Sequence, residues 1–132
     1  MLILCAIWVM VTFGGRQSQP VGKAIYDINC LNCHQENGQG LGSLIPAIND
    51  SQRLKQIRED IPCLIRQGRG GEDSLAFHYM PAHPQLSEVQ IMHITNYLLS
   101  QWGENEVPYN IKEVRIQLDS CPSQSRKSTS GS

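Results

Sequence analysis

The chain predicts a small all-α domain of four or five helices with two long loops. Three observations lead there. A stripe at helical spacing runs through Gly22, Tyr26 and Cys30, then Cys33 and His34, separated by four, four and three to four positions. Start and stop signals also recur, with Ser87 three residues before Gln90, Asn110 three before Glu113, and glycines at 68 and 103. Finally, no stretch alternates in the strand manner and no internal repeat is found. At 132 residues there is room for one domain and some tail. Hydrophobic content is 40% but aromatics are only 6%, so a core this small calls for a disulfide, a metal or a cofactor. A net charge of −1 carries no strong signal about nucleic acid or membrane surfaces, no Lys/Arg run suggests a phosphate-binding face, and no nucleic-acid partner is expected.

The first element is the apolar run Met1 to Phe13. As a helix it would be about 20 Å long, short of the roughly 30 Å hydrocarbon core of a bilayer. It has the character of the apolar region of a secretory signal, although no Lys or Arg precedes it. Gly14, with Thr12 two positions before it, offers the best small-residue cleavage site. Cys5 follows Leu-Ile-Leu rather than the small residue a lipid-attachment cysteine needs, and belongs to the apolar segment. The alternative is a hydrophobic N-terminal core helix. The chain thus divides into a signal-like or anchoring segment with linker (1–20), a helical domain with an extension (21–121) and a Ser-rich tail (122–132) expected to be disordered.

A first helix is expected from Val21 to His34. The loop after it contains Gly38, Gly40, Gly42 and Pro46. Ser51 is expected to cap a second helix with Leu54 and Ile57 turned inward. A short third helix runs from Pro62 to Gln67 and stops at Gly68. The stretch from Gly68 to Gln85 has no period, and a loop of this length usually carries function. The capping box of Ser87 and Gln90 opens the clearest helix, which ends at Gly103. Val89, Met92, Tyr97 and Trp102 are placed on its buried side. Asn110 and Glu113 box a last short helix bearing Ile111, Val114 and Leu118.

The chemistry concentrates in Cys30-Leu-Asn-Cys33-His34. On a helix these three side chains form one patch. Two thiols so placed can add across the two vinyl groups of a single haem, and the adjacent imidazole is then held under the iron; this is the C-x-x-C-H attachment pattern. A thioredoxin-like redox pair would want a strand before the helix. A zinc site would want a second ligand pair, and only the single cysteines Cys63 and Cys121 follow. Two cysteines buried as small hydrophobes are the plainest alternative.

Haem iron bound by His34 leaves one axial position, for which His78, Met80, His83 and His93 are candidates. His93 lies within the long helix. His78 and His83 flank Tyr-Met-Pro-Ala-His in the aperiodic loop. Met80 precedes Pro81, which fixes the backbone and lacks an N–H, and a methionine there is poorly placed for a plain core role. A thioether is a soft ligand that favours ferrous iron and raises the reduction potential. With both axial positions filled by protein, the site is left to move electrons.

Gly22-Lys-Ala-Ile-Tyr-Asp-Ile-Asn-Cys-Leu-Asn-Cys-His34 resembles the first helix of class I c-type cytochromes, Tyr79-Met-Pro-Ala-His83 resembles their methionine-ligand loop, and Leu86 to Gly103 resembles their C-terminal helix. The resemblance covers about Val21 to Gly103. It implies the class I cytochrome c fold around one covalent haem c, His34 and Met80 as axial ligands, and Tyr97 crossing the first helix near Gly22. It also implies that the Pro46 carbonyl accepts a hydrogen bond from the proximal histidine. The implied activity is single-electron transfer rather than enzymatic catalysis, between redox partners such as respiratory complexes or oxidases. The implied place is the periplasm or the extracytoplasmic face of a membrane, with possible membrane association through the N-terminus. Two other roles stand beside this one: a haem c subunit or docked domain of a larger respiratory complex, and a haem enzyme or gas sensor. Propionate partners are guessed among Arg53, Arg66, Tyr79 and Trp102.

The extension is similar to that of a bacterial subgroup in which the third-helix cysteine pairs with a C-terminal one. In an oxidising compartment Cys63 and Cys121 are expected to form a disulfide, the alternatives being free thiols or metal ligands. From Val21 to Cys121 there are eight Lys/Arg against twelve Asp/Glu, a balance of −4. A basic docking ring is not expected, and the partner's face need not be acidic.

Overall fold

The computed structural model describes residues 19–70 and 79–122. The apolar run at the N-terminus, His78 and the Ser-rich tail lie outside the described residues. The α-helices are α1 (Pro20–Asn29), α2 (Leu31–His34), α3 (Ser51–Ile57), α4 (Ile61–Gln67), α5 (Glu88–Trp102) and α6 (Ile111–Asp119), with a 3₁₀ turn at Arg58–Asp60 between α3 and α4. Among the described residues extended pairing is confined to two isolated bridges, Leu41 with Ile45 and Arg69 with Met80.

The core is centred on α5, whose Ile91, Ile94, Leu98 and Leu99 are buried against Ile25 and Tyr26 of α1, Leu54 of α3, Ile61 and Ile65 of α4, and Val114 of α6. α1 crosses α5 at Gly22, where a Cβ would sit 2.6 Å from the Cβ of Tyr97 and collide with the carbonyl oxygen of His93. Only a residue without a side chain allows this approach. Beside the crossing, Tyr26, Tyr97 and Trp102 form an aromatic trio with ring centroids 5.3, 5.9 and 6.1 Å apart. Such tilted and edge-on pairs add to the area they bury.

Three local expectations are corrected. The first helix begins at Pro20 and is broken at Cys30, which has φ −121°. The Asn29 amide donates to the carbonyl of Ile25 at 2.8 Å, and the Cys30 N–H still reaches the Tyr26 carbonyl at 2.8 Å. The cap of α3 is Asp50 rather than Ser51. Its carboxylate accepts from the backbone N–H of both Gln52 (2.9 Å) and Arg53 (3.2 Å), and a negative acceptor also suits the positive end of the helix. Val89 is 49% exposed, because the buried stripe of α5 runs through Ile91, Ile94 and Leu98, and Val89 is out of phase with it. Both capping boxes, Ser87 with Gln90 and Asn110 with Glu113, are formed.

Beyond Trp102 the chain doubles back over α4 and α5. Asn96, buried on α5, makes a two-way bond with the backbone of Tyr109, at 2.9 Å to its carbonyl and 2.7 Å from its N–H. Arg58 donates to the hydroxyl of Tyr109 (2.9 Å) and the carbonyl of Val107 (2.6 Å), and pairs with Glu106 at 2.9 Å. A disulfide joins Cys63 of α4 to Cys121, with Cα atoms 5.5 Å apart. Among the described residues no helix is long and apolar enough to cross a membrane.

Candidate functional site

Cys30, Cys33 and His34 lie on a single helical turn. The Cys30 carbonyl accepts from the N–H of Cys33 (3.1 Å) and of His34 (2.9 Å), and Gln35 closes the turn by donating to Leu31 at 2.8 Å. Gln35 then takes a positive φ of 63°, which is uncommon for a residue with a side chain. Tyr26 braces that exit by donating its hydroxyl to the Gln35 carbonyl at 2.7 Å. Burial, with Cys30 next in weight, keeps the Tyr26 phenol protonated far above its usual range, so it serves as a donor throughout ordinary pH. Sequence reasoning placed Tyr26 only on a helix face; its bracing role depends on a bond made after the turn.

Both thiols are unpaired, Cys30 half-buried and Cys33 exposed. Burial, reinforced by Cys33 alongside, pushes the Cys30 thiol up to about 11. Redox-active C-x-x-C pairs do the reverse and depress a thiol to make a thiolate, so this environment does not fit disulfide exchange. The three residues do not converge on a single ion either: among the described residues no group of three or more His, Cys, Asp and Glu side chains is arranged to hold a metal. Two thiols side by side with a half-buried imidazole suit a flat, two-point-attached ring.

Burial lowers the pKa of His34, favouring the neutral imidazole that a metal requires. Its Nδ1 is buried and has no hydrogen-bond partner. The bond from His34 to the Pro46 carbonyl that the resemblance implies is therefore not made here. The two groups nevertheless share a neighbour. Gly40 donates to the His34 carbonyl at 3.1 Å, and a Cβ on Gly40 would lie 2.9 Å from the Pro46 oxygen.

Met80 is half-buried and packs against the same core as Cys30, Leu31, Ile48 and Trp102. Its backbone is fixed on both sides by Arg69, accepting from the Arg69 N–H at 2.8 Å and donating to the Arg69 carbonyl at 2.9 Å. His83 is half-buried, with its Nδ1 3.3 Å from the amide of Gln85. His93 lies in mid-α5, where its carbonyl meets Gly22. Of the guessed propionate partners, Arg66 donates to the carbonyl of Pro84 at 2.9 Å, Trp102 packs in the aromatic trio and against Gly38, Tyr79 is 48% exposed and Arg53 is exposed. The bridge at Arg69 was missed from sequence, where Gly68 read only as a helix stop.

A family model described as Cytochrome c matches residues 21–102, more than half of the chain. No curated protein matches the chain.

Proposed function

The chain belongs to the cytochrome c family, whose members bind haem c covalently, and from that premise we propose that it is a single-electron carrier with His34 and Met80 as axial ligands. Haem supplies the one-electron couple; the chain supplies its anchorage, its axial atoms and its apolar surroundings. Cys30 and Cys33 provide the two thioether anchors. His34 offers a neutral imidazole, and its unpartnered Nδ1 is the donor for which we assign the Pro46 carbonyl as acceptor, an arrangement that fixes ring orientation. Met80 contributes a soft sulfur from a backbone seat held by Arg69, and such a ligand favours the ferrous state. With both axial positions taken by side chains, the protein carries electrons and is not an enzyme.

The observation that carries this reading is the attachment turn itself: two unpaired thiols and a half-buried imidazole on one turn, bordering the core against which Met80 packs. Oxidised and reduced absorption spectra with intact mass test it. One haem mass added to the chain and a far-red sulfur–iron band in the oxidised form are expected. A mass equal to the bare polypeptide, from a host with haem-attachment machinery, refutes it.

The apolar N-terminal run supports export to the periplasm, or retention on the extracytoplasmic side of a membrane. Export in turn supports the Cys63–Cys121 disulfide in the mature protein. Thiol counting on the denatured, unreduced holoprotein is expected to find neither cysteine free, and finding both free ends that assignment. A second reading, a subunit or docked domain of a larger respiratory complex, is favoured by the clamped extension beyond the family match, which leaves Val107 72% and Ile116 60% exposed. Size-exclusion of native membranes before and after a salt wash separates the two: a free carrier elutes small after the wash, whereas a subunit stays with the complex.

A further inference from the structure

We propose that the C-terminal extension is a positioning element for Met80, acting through α4. This rests on Met80 being the distal ligand.

α4 has only two turns, and a helix so short has little stability of its own. Its position is set by what grips it. Near its start Cys63 is tied to Cys121, while Arg58, three residues before α4, holds Val107, Glu106 and Tyr109 of the extension. Four residues at and just beyond its far end receive the Met80 segment. The Ile65 carbonyl accepts from the His83 N–H at 3.1 Å. Arg66 donates to the Pro84 carbonyl at 2.9 Å. Gly68, at φ 71°, lies so close to the segment that a Cβ would stand 2.6 Å from the Ala82 nitrogen and 2.7 Å from the Pro81 carbonyl carbon. Arg69 then makes its two bonds to Met80. One short helix therefore links the extension to the segment that presents the sulfur.

The family match ends at residue 102, so this support comes from beyond the matched residues. Ile61, Pro62 and Ile65 are buried and also hold α4. The extension acts on what remains, the freedom of α4 to shift and carry Met80 with it. Local openings of this kind occur as cooperative units below the global unfolding free energy. An external ligand that binds iron only when Met80 is off has an apparent affinity proportional to the open fraction.

Imidazole titration of the ferric holoprotein reads that fraction. Cys63→Ala with Cys121→Ala is expected to tighten apparent imidazole binding about tenfold and to weaken the far-red sulfur–iron band, because the open fraction rises by the same factor. Arg58→Gln, which loosens the same extension without touching α4 cysteine chemistry, shifts binding in the same direction and decides the matter if the cysteine variant does not accumulate folded. In a Met80→Ala background the cysteine changes should alter imidazole affinity less than about twofold, since no sulfur is left to displace. If the clamp variants melt earlier yet keep wild-type imidazole affinity and an unaltered far-red band, the extension is stabilising only and the proposal fails. If Met80→Ala leaves imidazole affinity unchanged in a His78→Ala, His83→Ala background, where neither histidine can take the vacant position, Met80 is not the ligand, and the His34/Met80 reading fails with it.

Discussion

The turn bearing Cys30, Cys33 and His34 is held by bonds among near neighbours, from Tyr26 to Gln35. Met80 is held by residues on another element, Arg69 directly, with Ile65 and Arg66 gripping the residues that follow it. One side of the site is thus a property of a short stretch of chain, and the other of how α4 is seated. The contrast teaches that anchorage and ligation have separate structural supports, and that the ligation side can be broken while the anchorage stands.

The largest effect is expected at the local side. Cys30→Ala with Cys33→Ala removes both anchors, and no haem should survive acid–acetone extraction or denaturing electrophoresis. The apo chain is also expected to be poorly folded, since its small aromatic-poor core loses its central apolar body. Retention of a covalent haem by the double variant would mean that attachment lies elsewhere.

Met80→Ala breaks only the remote side. Haem stays attached, but the oxidised protein should lose its far-red sulfur–iron band. The reduction potential should fall by on the order of 100 mV, because ferrous iron loses its soft ligand. Reduced haem should then bind carbon monoxide. His78 or His83 can move in and restore six-coordination, so the triple variant Met80→Ala, His78→Ala, His83→Ala is the sharper form. If Met80→Ala changes neither spectrum nor potential while a histidine variant changes both, the iron is bis-histidine ligated.

Gly22→Ala tests the crossing that seats the attachment helix. The added methyl meets the His93 carbonyl and the Tyr97 Cβ, and forcing α1 from α5 should cost about 1–3 kcal/mol. Thermal melting of the holoprotein measures this, with the haem still attached. The smallest effect is expected for Tyr26→Phe, which removes the brace on Gln35 but keeps the aromatic packing. A loss of about 1 kcal/mol is expected from the denaturant midpoint, with the far-red band unchanged because Met80 is seated independently. A weakened band in Tyr26→Phe would show that the two sides are coupled after all.

The amino-acid sequence by itself determined whatever rests on local periodicity and fixed offsets. The C-x-x-C-H patch, both capping boxes and the all-α class are of this kind, because i, i+3 and i+4 neighbours meet wherever a helix forms. It left undetermined whatever depends on which of two adjacent groups wins a contact. Asp50 displaced Ser51 as a cap because a carboxylate accepts two N–H groups more strongly than a hydroxyl. Val89 faced out because the phase of α5 is set by the partners around Ile91 and Ile94. Cys30 breaks its helix with φ −121°, a backbone angle that its helical spacing does not mark. Met80 could be marked as a candidate by its proline and its aperiodic setting, but its seat could not, since backbone bonds to Arg69 and the close approach at Gly68 carry no side-chain signature. Only the packing of α4 between the extension and α5 brings those backbones together.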